Sequence, residues 1–75
     1  MTTSELSAAT AHTLHRHLRL LEQERAEARL NGLAGNALYM EDLAHEFEAV
    51  RAAYVGAAVT EIASLRAVLD GPLEG

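Results

Sequence analysis

The chain has 75 residues, a formal net charge of −5 at pH 7 and no cysteine, which excludes disulfides, thiolate metal ligands and cysteine nucleophiles. Its 15 Ala residues, together with many Leu, Glu and Arg, favour helices, whereas three aromatic residues and one Pro argue against a sheet. Because so short a chain buries little of its surface, and because its net charge disfavours nucleic acid and anionic membranes, we expect a protein partner to complete its core.

The first predicted helix covers about 4–31. Thr2 and Glu5 have the spacing of a capping box, and Ser4 is a competing cap. Asn31-Gly32 supplies the left-handed stop with which many helices end. Apolar residues at coiled-coil spacing give this helix one narrow face to bury: Leu14, Leu18, Leu21 and Ala28.

The second predicted helix covers about 37–69, with Asn36 as its cap and Asp70-Gly71-Pro72 as its end. Its larger apolar side chains form a stripe whose spacing predicts a nearly straight seam: Leu43, Phe47, Val50, Tyr54, Ala58, Ile62, Leu65 and Leu69. The short connection makes the helices antiparallel neighbours. We therefore predict an all-α, antiparallel two-helix hairpin that forms a single domain, with flexible tails at 1–3 and 71–75.

A second stripe, of small residues, is expected on the opposite side of this helix: Ala49, Ala52, Ala53, Gly56, Thr60, Ala63 and Ala67. Gly inside a helix costs about 1 kcal/mol relative to Ala, so Gly56 predicts the close approach of another backbone. The segment 52–59 is apolar around the whole helix, and such helices are normally surrounded. One partner helix cannot surround it.

The register of the hairpin also indicates association. If the turn is centred in the connection, the N-terminal end of the first helix lies opposite Ala63. Leu65, Val68 and Leu69 then extend beyond the first helix. Fully burying each such side chain is worth about 1.5–3 kcal/mol. We therefore expect a symmetric homodimer that forms a four-helix bundle with the second helix central. Its predicted interface contains Leu43, Phe47, Val50, Tyr54, Gly56, Ala57, Val59, Ile62, Leu65 and Leu69.

Two charged residues fall on the apolar stripes. Arg25 faces Asp42 in this register, so the two either form a partly buried ion pair, or the Arg stem covers apolar surface with its head in water. Glu61 either meets an Arg of its own or a second chain, or it lies at the edge of its stripe and points outward. The second interpretation is favoured in both cases.

Three histidines, His12, His15 and His17, lie in a segment without acidic residues. His12 and His15 are one helical turn apart, but two imidazoles without a nearby carboxylate are a weak ligand set. We therefore predict no metal and no cofactor. The sequence leaves open whether this cluster senses pH.

The sequence has no nucleophilic constellation and no phosphate-binding loop. We expect a small non-enzymatic helical module that acts as a homodimer and binds another protein, as a regulator or an assembly subunit. The alternative is a ligand-binding or catalytic bundle whose polar site forms between chains from Arg25, Glu61 and His17. Without a signal-peptide pattern or an uncharged run of about 20 residues, a cytoplasmic location and no membrane contact are expected, and nucleic-acid binding is disfavoured.

Overall fold

The computed structural model describes Leu6 and residues 9–71, which form a hairpin of two helices. Helix α1 covers Ala11–Leu30 and helix α2 covers Ala37–Leu69, and a short 3-10 turn at Leu33–Gly35 lies between them. The described part of the chain contains no strand. The all-helical hairpin that composition and periodicity predict is therefore confirmed.

The start of α1 differs from the prediction. Thr10 has an extended backbone, with φ −76° and ψ 161°, and its side chain accepts a hydrogen bond from the N–H of Thr13 at 3.2 Å. A residue with this geometry is a helix N-cap, so α1 begins at Ala11. One unbroken helix over about 4–31 is therefore wrong, because Ala9 and Thr10 are not helical, although Leu6 is. Outside the described residues lie the caps predicted at Thr2, Ser4 and Glu5 and, apart from Gly71, the tails predicted at 1–3 and 71–75.

The connection and the second helix agree with their predictions. Gly32 adopts the left-handed conformation, with φ 77°, directly after the end of α1. The side chain of Asn36 accepts a hydrogen bond from the N–H of Tyr39 at 3.1 Å and caps α2. At the other end of α2 the N–H of Asp70 donates to the carbonyl of Arg66 at 2.7 Å.

The core lies between α1 and the first half of α2. Six described residues are buried: Leu14, Leu18, Leu21, Ala28, Leu43 and Val50. The four from α1 are the predicted narrow face. Half-buried neighbours pack around this cluster: Leu6, Ala9, Tyr39, Phe47, Ala53, Tyr54 and Ala57. From Glu61 to Asp70 every residue of the chain is exposed, so the core stops well before α2 does.

The large stripe of α2 does not stay on the side that faces α1. After Tyr54, the face that contacts α1 continues through Ala57 and Glu61, whereas Ile62 is exposed. Each step of four residues advances about 40° beyond a full turn, so the three successive steps from Val50 to Ile62 turn the stripe by roughly 120°. The predicted straight seam is therefore wrong.

The small stripe is also placed differently from the prediction. Ala53 packs against the core rather than on the opposite side of α2. Gly56 is exposed, and among the described residues no atom outside its own stretch of helix backbone lies within 4 Å of the position that a Cβ would occupy. In this part of the chain, the predicted close approach of a backbone to Gly56 is therefore not seen.

Replacing Leu14 with Ala tests the core. Leu14 is 0% exposed, and removing its buried methyl groups should lower the free energy of unfolding by about 2–5 kcal/mol. Leu20 on the same helix is 63% exposed, so Leu20→Ala should change stability by less than about 0.5 kcal/mol. Urea unfolding followed by circular dichroism measures both variants, and equal losses would contradict this assignment.

Candidate interaction surface

The second half of α2 carries a row of exposed apolar side chains, which we call the α2 stripe. Its five members and their exposed fractions are Val55 (47%), Val59 (62%), Ile62 (59%), Leu65 (59%) and Leu69 (70%). Val68, near the end of the helix, is 78% exposed as well. The predicted overhang of Leu65, Val68 and Leu69 beyond their own chain's core is therefore seen.

Most of the α2 stripe lies on a different side of α2 from the face that packs on α1. At about 100° per residue, Val55, Val59 and Ile62 lie roughly 80–140° around the helix from Tyr54. Leu65 shares the helical angle of Phe47 and is exposed because it lies beyond the start of α1. Val50 is 2% exposed because α1 covers it, whereas Ile62 is not covered. A second helix can therefore contact the α2 stripe without displacing α1.

Much of the predicted oligomer interface is already used inside the chain. Leu43 and Val50 are buried, and Phe47, Tyr54 and Ala57 pack against the same core. These five residues can contact a second chain only through the part of their surface that packing within the chain leaves exposed. The α2 stripe holds the remaining apolar members of that interface except Gly56.

Charged residues border the α2 stripe at its start and along one side. Glu48 and Arg51 form an ion pair in which the guanidinium donates at 2.6 and 2.9 Å. This hydrogen bonding lowers the pKa of the Glu48 carboxyl from its ordinary value. Arg66 is exposed, and among the described residues no carboxylate lies within ion-pair distance of it.

Glu61 connects α2 to the first turn of α1. Its Oε2 accepts a hydrogen bond from the backbone N–H of Ala11 at 2.9 Å. The first turn of α1 has no acidic residue of its own, and a carboxylate there is favourable because helix N-termini carry unpaired N–H groups and a partial positive charge. Sequence reasoning missed this contact because it placed the helix start seven residues too early.

Arg25 lies over an aromatic ring, not beside a carboxylate. Its guanidinium carbon is 5.1 Å from the centroid of Phe47. Among the described residues, Glu48 and Arg51 form an ion pair and His17 lies 3.3 Å from Glu46, whereas Arg25 and Asp42 form no such pair. The pairing of Arg25 with Asp42 is therefore wrong. The favoured interpretation, in which the Arg covers apolar surface, agrees with this cation–π geometry.

The candidate polar residues do not form one site within the chain. His17 Nε2 lies 3.3 Å from Glu46 Oε1, and Arg25 lies over the ring of Phe47. Glu61 lies 14 residues beyond Phe47 on α2, which is about 20 Å along the helix axis. A polar site built from Arg25, Glu61 and His17 would therefore need a second chain to bring distant parts of the hairpin together.

Two of the three clustered histidines, His15 and His17, contact side chains of α2. The ring of His15 lies 5.7 Å from the ring of Tyr54, at an interplanar angle of 41°. Among the described residues no three His, Asp or Glu side chains are grouped so that they could hold a metal ion. The described contacts of His15 and His17 are cross-helix contacts within the hairpin.

An open apolar groove of about 610 Å³ lies where the start of α1 meets α2. Leu6, Ala9 and Thr10 line one side, and Ala53, Gly56 and Thr60 line the other. The Thr60 hydroxyl donates a hydrogen bond to the carbonyl of Gly56 at 2.9 Å, which satisfies that hydroxyl locally. The groove thus adds to the apolar surface of α2 on a side different from the α2 stripe.

By length and composition alone, α2 is long and apolar enough to cross a membrane. Core helices of soluble proteins, which are mostly buried, meet the same criterion, whereas the apolar window of α2 is 0% buried in the single chain. One such helix is weak evidence, and the expected absence of membrane contact stays a prediction.

Comparisons with protein-family models, with curated proteins and with solved structures each found no match.

Replacing Glu61 with Ala tests its contact with α1. Loss of a charged acceptor at a helix N-terminus should lower the free energy of unfolding by about 0.5–1.5 kcal/mol. Glu22→Ala removes an exposed carboxylate from the middle of α1 and serves as the control, with an expected change within about 0.5 kcal/mol. Chemical unfolding compares the two, and a Glu61→Ala chain as stable as the control would show that the contact contributes nothing.

Tyr39 provides a pH-dependent test of the loop end of the hairpin. Its hydroxyl donates to Glu24 Oε1 at 2.9 Å, and this hydrogen bond raises the pKa of the phenol above its ordinary value of 10.0. The contribution to stability is present below that ordinary value and is lost as the pH rises through the raised pKa. In a Tyr54→Phe chain Tyr39 is the only tyrosine, so tyrosinate absorbance should titrate above pH 10.0.

The matched control adds Glu24→Gln to the Tyr54→Phe chain. Removing the carboxylate charge should lower the titration midpoint of Tyr39, because the phenolate no longer forms beside an anion. A midpoint that stays unchanged in the double variant would contradict the contact between Tyr39 and Glu24.

Proposed function

We propose that this protein is a small non-enzymatic helical module that forms a homodimer and serves another protein as a regulator or an assembly subunit. The observation that carries the proposal is the α2 stripe, in which five large apolar side chains are 47–70% exposed in the single chain. Contiguous exposed apolar surface of this kind marks protein interaction sites more often than isolated exposed residues do.

The free energy of burying apolar side chains supports a second chain as the partner that covers the α2 stripe. Fully burying a Val, Leu or Ile side chain contributes about 1.5–3 kcal/mol, while the six buried residues among those described form a small core. A dimer through the α2 stripe adds a second apolar layer without disturbing Val50 or Leu43, which α1 already covers. The dimer we propose is a four-helix bundle in which the two α2 helices are central and the α1 helices lie outside.

A binding role needs no chemistry beyond this surface. Arg25 and His17 make contacts within the hairpin, and Glu61 contacts the start of α1. The alternative, a polar ligand site between chains, is supported by no contact among the described residues. The expected partners are a second copy and one further protein in the cytoplasm, and neither a membrane nor a nucleic acid is part of the proposal.

Replacing Ile62 with Glu tests the proposed dimer. A carboxylate in the middle of a buried apolar interface must be desolvated, so this chain should sediment as a monomer at concentrations where the unchanged chain is a dimer. Leu38→Glu is the matched control, since Leu38 is 70% exposed on the same helix but lies outside the α2 stripe. Analytical ultracentrifugation should show that this control remains dimeric.

Two results would contradict the proposal. One is a folded chain that stays monomeric up to high micromolar concentration. The other is co-flotation with lipid vesicles in a manner that Ile62→Glu abolishes, because the α2 stripe would then contact lipid rather than protein. Circular dichroism of every variant separates lost association from lost helix.

A further inference from the structure

The spacing of the α2 stripe defines how two copies can pair. Val55, Ile62 and Leu69 are seven residues apart, and Ala58 and Leu65 fall between them at the intermediate spacing of three and four. These are the a and d positions of a two-heptad coiled-coil seam about 21 Å long. Upstream, Glu48 and Arg51 occupy the next a and d positions as an ion pair, so the apolar seam begins at Val55.

The residue types at these positions favour a parallel pair. In two-stranded parallel coiled coils, β-branched residues are preferred at a and Leu at d. Here two of the three a positions are the β-branched Val55 and Ile62, and the fully apolar heptad has Leu65 at d. Ala58, the other d position, is half-buried and brings the two backbones closer at that end.

The charges beside the seam also distinguish the two orientations. Glu61 precedes Ile62 on one edge of the seam, and Arg66 follows Leu65 on the other edge, five residues later. In heptad notation Glu61 is at position g and Arg66 is at position e. A parallel, in-register pair places the g position of one chain beside the e position of the other, so Glu61 and Arg66 of different chains are neighbours with opposite charges. An antiparallel pair centred on Ile62 instead places Glu61 beside the other Glu61, and like charges there are unfavourable.

The position of α1 is compatible with this pairing. α1 packs on the face of α2 that contains Tyr54 and Glu61, roughly a quarter turn from the seam. Glu61 Oε2 accepts from Ala11, and its Oε1 takes no hydrogen bond among the described residues. The carboxylate therefore lies in the corner between α1 and the place that a second α2 would occupy.

We propose that two copies of this chain pair in parallel and in register along α2, with Glu61 of each copy beside Arg66 of the other. The inference rests on the proposed function, because it specifies the orientation of that dimer. Glu61 then has two roles: it accepts the N–H of Ala11 in the first turn of α1 of its own chain, and it accepts a charged contact from Arg66 of the second copy.

Disulfide trapping tests the orientation, since the natural chain has no cysteine. In a parallel pair, Val55→Cys and Leu69→Cys should each link to an identical chain on mild oxidation. In an antiparallel pair centred on Ile62, neither should self-link, and a mixture of the two should give the mixed disulfide. Ile62→Cys should self-link in both cases and reports the dimer itself, and Ala63→Cys, on a different side of α2, is the unlinked control.

The outcomes separate the two proposals. Self-linked Val55→Cys and Leu69→Cys dimers support the parallel pair. A mixed disulfide with no self-linking overturns the orientation but leaves the dimer standing. Failure of Ile62→Cys to link, together with a monomeric unchanged chain in the ultracentrifuge, overturns the proposed function and this inference with it.

Replacing Arg66 with Glu tests the charge pair. In the parallel dimer two Glu61–Arg66 contacts become repulsive, and we expect dimerisation to weaken about tenfold at low salt. Arg66→Lys keeps the charge and should keep the affinity within about threefold. An Arg66→Glu dimer of unchanged affinity would overturn the pairing, since position 66 would then lie beside an uncharged residue such as Val59.

Discussion

The structure depends on a mismatch between its two helices. α2 has 33 residues and α1 has 20, so α2 is about 50 Å long and α1 about 30 Å. α1 therefore covers α2 up to about Glu61 and leaves the last nine residues of the helix, from Glu61 to Leu69, exposed. Because that end of α2 carries Ile62, Leu65, Val68 and Leu69, the hairpin retains apolar surface that its own chain does not cover.

The geometry of the α-helix decides where that surface lies. The stripe from Leu43 to Leu69 reads as continuous in the sequence, but repeated steps of four residues turn it around the helix. Leu43 and Val50 consequently face α1, and Ile62 and Leu69 do not. Two shorter faces on different sides of α2 replace one long seam, and α2 can contact two neighbours at once.

Local signals made most of the fold predictable. Gly32 and Asn36 mark the end of α1 and the cap of α2, and both act through local backbone geometry and hydrogen bonds. The start of α1 was mispredicted because two caps upstream of Thr10 have equally good local patterns, and local pattern cannot rank them. Tertiary contacts distinguish them: the Glu61 carboxylate lies at Ala11, 50 residues away.

The candidate surface was predictable in kind but not in position. Counting residues shows that the second helix carries more apolar side chains than the first helix can cover. The side of the second helix on which they lie depends on small angular differences that accumulate over several turns. Polar partners were predicted least well. Arg25 was placed opposite Asp42 by register alone, but its guanidinium lies over the ring of Phe47. Register fixes which backbones are close, and side-chain length then widens the choice of partners.

Glu61 links the two halves of this molecule. It is the residue of α2 at which coverage by α1 ends, and its carboxylate is hydrogen-bonded to the first turn of α1. The next residue, Ile62, is the midpoint of the α2 stripe. If α1 moved away from α2, the Glu61 carboxylate beside Ile62 would lose its hydrogen bond to α1. If another helix packed on the α2 stripe, it would restrict Glu61 to the position in which its carboxylate contacts α1. The stability of the start of α1 and the occupancy of the α2 stripe are therefore expected to be coupled through one side chain.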